Sequence, residues 1–420
     1  MNTTILPRVA PGRTPKPHVL DGLAKRAVRG RLAGLRRGRI TLIEGAERMY
    51  YGQPDEHCPL QAEVRVHDPR FWGELAFGGS IGAGEAYMLG YWGADDLTAL
   101  VRILLQNRDV LDGMETGLAR LTAPLQKALH WFNRNTREGS RRNIAAHYDL
   151  GNDFFGLFLD PTMMYSSAIF EHPEITLEEA QRARLDRICS KLELKAGEHL
   201  LEIGTGWGGM AIHAARHYGC RVTTTTISRE QYALARVRIA AAGLSDRITL
   251  LLEDYRDLRG RYDKLVSIEM IEAVGHHFYD DYFGKCGRLL EDDGLMLVQA
   301  ITIADQRYEA ARKSVDFIQR YIFPGSTIPS VTVMLESLTR TSDLRLTHLE
   351  DIGPHYATTL RKWRENFFGN IEAVRGLGYP EHFIRMWEFY LCYCEGGFEE
   401  RAIGDVQLLL AKPGNRRAPV

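Results

Sequence analysis

The stretch Leu200-Leu201-Glu202-Ile203-Gly204-Thr205-Gly206-Trp207-Gly208-Gly209 reads as an apolar strand, a glycine turn and the start of a helix. Gly204 and Gly206 permit tight backbone with positive φ and let a ligand approach the main chain without meeting a Cβ. The amides of the following helix then face that ligand. The spacing is close to that of a dinucleotide-binding turn, but Gly-Thr-Gly-Trp-Gly-Gly is not G-x-G-x-x-G, so the fit to a pyrophosphate cradle is imperfect. S-adenosylmethionine, which carries no phosphate, suits it better, and a purely structural turn is the other reading. Glu202 and Asp254 are read either as partners for the cofactor's ammonium or adenine amine, or as carboxylates that support turns. Ser267-Ile268-Glu269-Met270-Ile271-Glu272-Ala273-Val274-Gly275 closes another strand, at the carboxyl edge where such sheets bind ligands.

The elements that must position these residues follow in order. Val222–Ile227, Ile248–Leu252, Lys264–Ile268 and Leu295–Ile303 are β-branched or apolar runs with helical segments between them. That alternation predicts a parallel, doubly wound sheet. Thr176 with Glu179 has capping-box spacing, and Leu177, Leu185, Ile188 and Leu192 give the helix that follows a buried stripe. Beyond the fifth strand, Asp305–Ile322 reads as helix, Pro324 and Pro329 break it, and Val331–Thr341 is helical again. Leu344–Ile352 and Val406–Ala411 read as strands, separated by an aromatic-rich helical insertion over Tyr356–Phe398. Seven strands with a late insertion fit the α/β, Rossmann-like plan of a class I methyltransferase.

Upstream, residues 1–18 read as a disordered basic tail, 19–115 as a smaller α+β N-terminal domain, 116–140 as a linker helix with a basic end, and 141–420 as the methyltransferase domain. In the N-terminal domain Arg39–Met49 and Ala62–His67 read as strands. Gly78–Glu85 reads as a glycine-rich turn leading into Ala86–Trp92, and Asp95 and Asp96 suit a helix start.

With 420 residues, 45% of them hydrophobic, the chain can bury a sizeable core. The net charge of −1 hides an uneven spread: ten Lys and Arg face one acid, Asp21, in the first 39 residues. Such an arm binds nucleic acid, coats an anionic membrane or keeps the protein soluble. No apolar run approaches a spanning helix and the first 20 residues hold four prolines, so a cytoplasmic protein is expected. Six scattered cysteines show no paired C-x-x-C, which argues against structural zinc and against disulfides in that compartment.

Several segments resemble the cyclopropane-fatty-acyl-phospholipid synthases and the related mycolic-acid cyclopropane synthases. They include Gly79-Ser80-Ile81-Gly82-Ala83-Gly84-Glu85-Ala86-Tyr87-Met88, His147-Tyr148-Asp149-Leu150-Gly151-Asn152-Asp153-Phe154-Phe155, Tyr321-Ile322-Phe323-Pro324-Gly325 and His355-Tyr356-Ala357-Thr358-Thr359-Leu360. The resemblance spans roughly residues 75 to 400. It implies methyl transfer from S-adenosylmethionine to the double bond of an unsaturated acyl chain in a membrane phospholipid, with peripheral contact at the inner face of the membrane and a homodimer. On it, Tyr148, Tyr165, Ser166, Gly204, Gly206, Thr226, Ile227, Gln231, Tyr255, Arg256 and Ile268 bind the cofactor.

It also places Glu272 on the family's active-site glutamate, Tyr356 on its tyrosine and Ile301 on the neighbouring isoleucine. Cys394 matches a cysteine labelled active-site, although the reaction needs no covalent enzyme intermediate and core packing is its other reading. Family members bind bicarbonate as the final proton acceptor. Here Ser167 replaces one of its ligands, a cysteine, and Gln299 another, a histidine. Serine and glutamine still donate hydrogen bonds, so bicarbonate stays open. Because proton removal decides the product, a methyl- or methylene-branched chain stands beside a cyclopropane. The rivals are a small-molecule N- or O-methyltransferase, a non-catalytic lipid-binding protein and, weakest, a nucleic-acid methyltransferase.

Overall fold

The computed structural model describes residues 19–115 and 150–416. The tail at 1–18, the linker helix expected at 116–140, and His147, Tyr148 and Asp149 lie outside the described residues.

The larger sheet has seven strands: β5 (His199–Ile203), β6 (Arg221–Thr225), β7 (Ile248–Leu251), β8 (Tyr262–Ile268), β9 (Leu290–Ile303), β10 (Arg345–Asp351) and β11 (Ile403–Ala411), in the order β10-β11-β9-β8-β5-β6-β7. It is mixed rather than wholly parallel, because β11 runs against both of its neighbours, β9 and β10. The central strands read as continuous apolar runs because both faces are covered. Leu201, Leu265 and Met296 pack with Tyr282 and Phe283 on one side, and Leu200, Val266 and Leu297 pack with Ile188 and Met210 on the other. The capping box at Thr176 is formed, and starts the helix Leu177–Lys191. Such a cap stabilises a helix by about 1 kcal/mol.

The N-terminal part carries a four-stranded sheet of β1 (Arg39–Glu44), β2 (Glu47–Tyr51), β3 (Gln61–Val66) and β4 (Trp92–Ala94), in the order β2-β1-β3-β4. The single strand expected over Arg39–Met49 is a hairpin, turned by Gly45 at φ 59°. Gly78–Glu85 is not a turn but part of the helical stretch Arg70–Met88, kinked at Gly79. Its glycines serve close packing: a Cβ on Gly82 would meet the Glu74 carbonyl, and one on Gly84 the Phe317 ring. The helix expected over Asp305–Ile322 ends at Ala311, and Ile318–Ile322 forms a π-helical turn bearing on that packing. Asp96 caps the helix Leu97–Gln106 by accepting from the Ala99 amide.

The aromatic-rich insertion folds as the helices Gly353–Gly369, Ile371–Gly376 and Glu381–Glu399. One continuous core joins it to the N-terminal sheet, running from Trp72, Tyr87 and Trp92 through Phe317 and Phe389 to Phe154, Trp363 and Trp387. Polar contacts seal this junction: Tyr87 donates to Glu388 at 2.7 Å, Arg102 to Glu400 at 2.7 Å, and Arg385 stacks 4.0 Å from the Tyr87 ring centroid.

Candidate active site

A cavity of about 990 Å³ opens at the carboxyl edge of β5, β6 and β8 and runs beneath the insertion to the N-terminal helices. Gly204 at φ 104° and Gly206 at φ 52° form its floor, and among the described residues, its own chain neighbours aside, no heavy atom lies within 4 Å of where a Cβ on Gly206 would sit. Tyr165, Ser166, Glu202, Thr226, Ile227, Gln231, Asp254, Tyr255, Arg256 and Ile268 line the same cavity. Ser228 caps the helix Arg229–Ala241 and accepts from the Gln231 amide, while Thr226 donates to the Gln231 side chain at 2.8 Å. Asp254 accepts from the Arg256 amide and from two guanidinium nitrogens, so Arg256 and Asp254 form a fixed pair at the rim.

Glu202 is fully buried and accepts from Thr224 at 2.6 Å; burial pushes its carboxyl up to about 8. Ser166 Oγ is buried without a hydrogen-bond partner among the described residues. A buried acid, an unpartnered hydroxyl and a bare glycine floor are the complement of a cationic, ribose-bearing group, so these residues fit S-adenosylmethionine.

Glu272, Ile301, Tyr356 and Cys394 line the deeper part. Glu272 Oε1 accepts from the Ile301 amide at 2.5 Å, and Oε2 has no hydrogen-bond partner among the described residues. Burial first, and the neighbouring Glu269 second, push its carboxyl up to about 8. Burial holds the Cys394 thiol far above its ordinary range, which removes the thiolate a nucleophile needs.

Ser167 and Gln299 are fully buried behind this wall rather than facing an open anion site. They hold Glu269, a residue to which sequence reasoning gave no role. Glu269 Oε1 accepts from the Ser167 amide at 3.0 Å and from Gln299 Nε2 at 2.8 Å, and Oε2 accepts from the Tyr356 hydroxyl at 2.6 Å. The Ser167 hydroxyl is turned away, donating to the Ala168 carbonyl at 3.0 Å. Three donors that the resemblance gives to bicarbonate positions, from Tyr356, residue 167 and residue 299, are therefore taken by a carboxylate of the chain, and bicarbonate does not fit beside it. The Ile301 amide is likewise taken, by Glu272.

Glu269 sits at φ 47°, a conformation that non-glycine residues adopt at a cost of about 1–3 kcal/mol and that clusters at functional sites. It carries the carboxylate off the end of β8 and back into the site. Burial raises its pKa, while its three donors and the Arg184 guanidinium oppose the shift. Asp405, two strands over on β11, is raised well above its ordinary value by burial and by Glu269 and Glu272. Arg184 is wholly buried behind these acids and donates to Gln181. The sequence signal for Glu269 was two acids three residues apart at a strand end; for Asp405 it was a polar residue interrupting an apolar strand.

The sequence profile of the mycolic acid cyclopropane synthetase family matches residues 135–408. The tuberculostearic acid methyltransferase UfaA1 of Mycobacterium tuberculosis is 40% identical over 354 residues, covering 80% of this chain and 80% of its own. The cyclopropane-fatty-acyl-phospholipid synthase of Escherichia coli K12 is 37% identical over 355 residues, covering 83% of this chain and 86% of its own. Among solved structures, the mycolic acid cyclopropane synthase CmaA1 complexed with SAH and CTAB superposes with a TM-score of 0.59 at 32% identity, over 65% of this chain and 98% of that one.

Proposed function

The chain belongs to the mycolic acid cyclopropane synthetase family, and from that premise we propose that it transfers the methyl carbon of S-adenosylmethionine to the double bond of an unsaturated fatty acyl chain in a membrane phospholipid, closing a cyclopropane ring. When bound, the cofactor supplies an electrophilic methyl group on a sulfonium. The residues of the chain bind the acyl group, exclude water and manage charge and proton.

Leu75, Leu97, Leu100, Leu104, Phe389 and Tyr393 give one end of the cavity an apolar wall suited to an acyl chain. Arg108, Arg307, Arg312 and Lys313 line the same cavity, and Arg307 and Lys313 are 39% and 66% exposed. Arg307 pairs with Asp112, and Arg312 and Lys313 share Glu309, so the cluster carries a net positive charge suited to an anionic headgroup at an inner-face membrane surface, where an uncompensated cation contributes roughly 1 kcal/mol. Among the described residues no helix is long and apolar enough to cross a membrane.

An alkene is a weak nucleophile, so attack needs it held in line with the methyl group. The cation left on the acyl chain is stabilised by fixed negative charge in a dry site and by the Tyr356 ring, a cation–π contact of roughly 0.5–2 kcal/mol. Glu269 then takes the proton. The observation that carries this reading is the Glu269 carboxylate on the cavity wall, held by Tyr356, Ser167 and Gln299. All three donors favour its ionised form, while burial keeps it basic.

A second reading is favoured by the same residue. A tethered carboxylate cannot shift as a free anion does, and the names of the relatives include both a methyltransferase and a cyclopropane synthase. On that reading the product is a methylene- or methyl-branched chain. The test is to incubate the protein with methyl-deuterated S-adenosylmethionine and vesicles of mono-unsaturated phospholipid, and to count deuterium in each acyl chain by mass spectrometry. Two retained deuterons with a ring in the NMR spectrum support the first reading. Two with an exocyclic alkene, or three, support the second, and unlabelled lipid overturns both.

A further inference from the structure

Gln299 reaches Glu269 with a nitrogen, yet an amide side chain offers an oxygen on its other arm, and a carboxylate facing that oxygen loses a donor and gains a repulsion. What sets the amide is visible two residues away from the site. Lys191 ends the helix Leu177–Lys191, is buried, and places Nζ 2.7 Å from Gln407 Oε1 and 2.5 Å from Glu350 Oε2. An ammonium only donates, so the arm that Gln407 turns to Lys191 is its oxygen. Its nitrogen therefore points the other way and donates to Gln299 Oε1 at 3.1 Å. Gln299 Oε1 being occupied, its nitrogen donates to Glu269 Oε1 at 2.8 Å and to Asp405 Oδ2 at 3.0 Å.

The sheet makes this series possible. Gln299 on β9 and Gln407 on β11 are directly paired in the antiparallel register, so both amides stand on one face, and both are fully buried. Two glutamines inside an apolar sheet are expensive unless every polar arm has a partner. Here one lysine at the edge aligns both.

We propose that Lys191 is a positioning residue for Glu269: through Gln407 it holds the Gln299 amide with its nitrogen, a donor, toward the carboxylate. The consequence for catalysis rests on the reading of Glu269 as the proton acceptor; the orientation itself does not. The groups that face Glu269 from its other sides are Tyr356, Glu272, Asp405 and Arg184, and none of them touches Lys191 in the series described.

The test uses the full-length protein with three substitutions: Lys191→Met, Gln407→Leu and Lys191→Arg. Gln407→Leu cuts the series while leaving the lysine charge in place, so a through-space effect of that charge would spare it. Protonation of Glu269 is followed by infrared difference spectroscopy, its carboxylic-acid band being the one lost in Glu269→Gln. Folding is checked by calorimetric binding of S-adenosylmethionine. Losing a hydrogen bond to a charged group raises a carboxyl pKa by about one to two units. A rise of that size is expected in both Lys191→Met and Gln407→Leu, with most of it reversed in Lys191→Arg. An unmoved band in folded Gln407→Leu overturns the proposal, whatever Lys191→Met does. The acid limb of kcat/KM is expected to move with the band. If the band moves and the limb does not, the series stands and Glu269 is not the proton acceptor.

Discussion

Tyr356 donates its hydroxyl to Glu269 across 2.6 Å, joining the helix Gly353–Gly369 to the end of β8. Burial and the nearby Glu269 carboxylate hold the Tyr356 phenol well above its ordinary range, so it stays a donor at every assay pH. The pair closes the inner end of the cavity with a carboxylate that belongs to the chain.

Removing that carboxylate separates catalysis from binding. Glu269→Gln is expected to lower single-turnover methyl transfer by about 10²–10⁴-fold, the usual range for a lost general base, with calorimetric affinity for S-adenosylmethionine little changed. Glu269→Gly goes further, because glycine accepts the positive φ at no steric cost and leaves the Tyr356, Ser167 and Gln299 donors facing a gap. Added bicarbonate is expected to restore part of the activity of Glu269→Gly but not of Glu269→Gln. A flat bicarbonate titration of Glu269→Gly would show that these donors do not form an anion site.

The acid at the glycine turn makes cofactor binding depend on pH. Glu202 titrates near 8 in the free protein, because burial disfavours its charge. A bound cation favours the ionised form, so affinity for S-adenosylmethionine is expected to tighten as pH rises from about 6.5 to 8.5, by up to roughly tenfold per unit. The stability of the free protein moves oppositely. A carboxyl whose folded pKa is raised contributes stability below its unfolded value, near 4.5, and loses it as pH rises through about 8. Glu202→Gln should flatten both dependences, read by calorimetry and by thermal melting across pH.

Gly84 tests how the N-terminal helices are seated. Its missing Cβ leaves room for the Phe317 ring, and overpacking of this kind costs about 1–3 kcal/mol. Gly84→Ala is expected to lower the melting temperature and to reduce turnover through the shared acyl wall. Gly22→Ala serves as the contrast: among the described residues nothing outside its own helix backbone and chain neighbours lies within 4 Å of its Cβ position, and alanine in a helix gains up to about 1 kcal/mol over glycine. Equal melting curves for the two variants would mean that the Gly84 contact does not set the packing.

Cys394 gives the opposite expectation from a nucleophile. With its thiol held neutral by burial, Cys394→Ala is expected to keep turnover within about threefold, since only the thiolate reacts readily. A loss of two orders of magnitude in a folded variant would reverse this assignment.

Much was legible in the order of residues alone because it is encoded locally. The strand, glycine turn and helix from Leu200 to Gly209, the Thr176–Glu179 capping box and the Asp96 cap are set by neighbours within four positions. The same holds for the β-branched runs that became β6, β7 and β8. The glycine run at 78–85 was read wrongly for a physical reason: glycine usually breaks helices, and only the approach of Glu74 and of Phe317, more than 230 residues on, makes it the residue this helical stretch needs.

The inner site was decided by tertiary structure. Pairing of β9 with β11 sets Gln299 beside Gln407, and the insertion helix brings Tyr356 from 87 residues away. The left-handed turn at Glu269 then aims its carboxylate at both. Because backbone shape is encoded in that short run, Glu202-Ile203-Gly204-Thr205-Gly206 was legible as a cofactor turn or a structural one, and only with the strand order around it did the cofactor reading gain weight. A buried carboxylate has no such signature: its charge is set by the donors that surround it, and those come from strands and helices that meet only when the chain is folded.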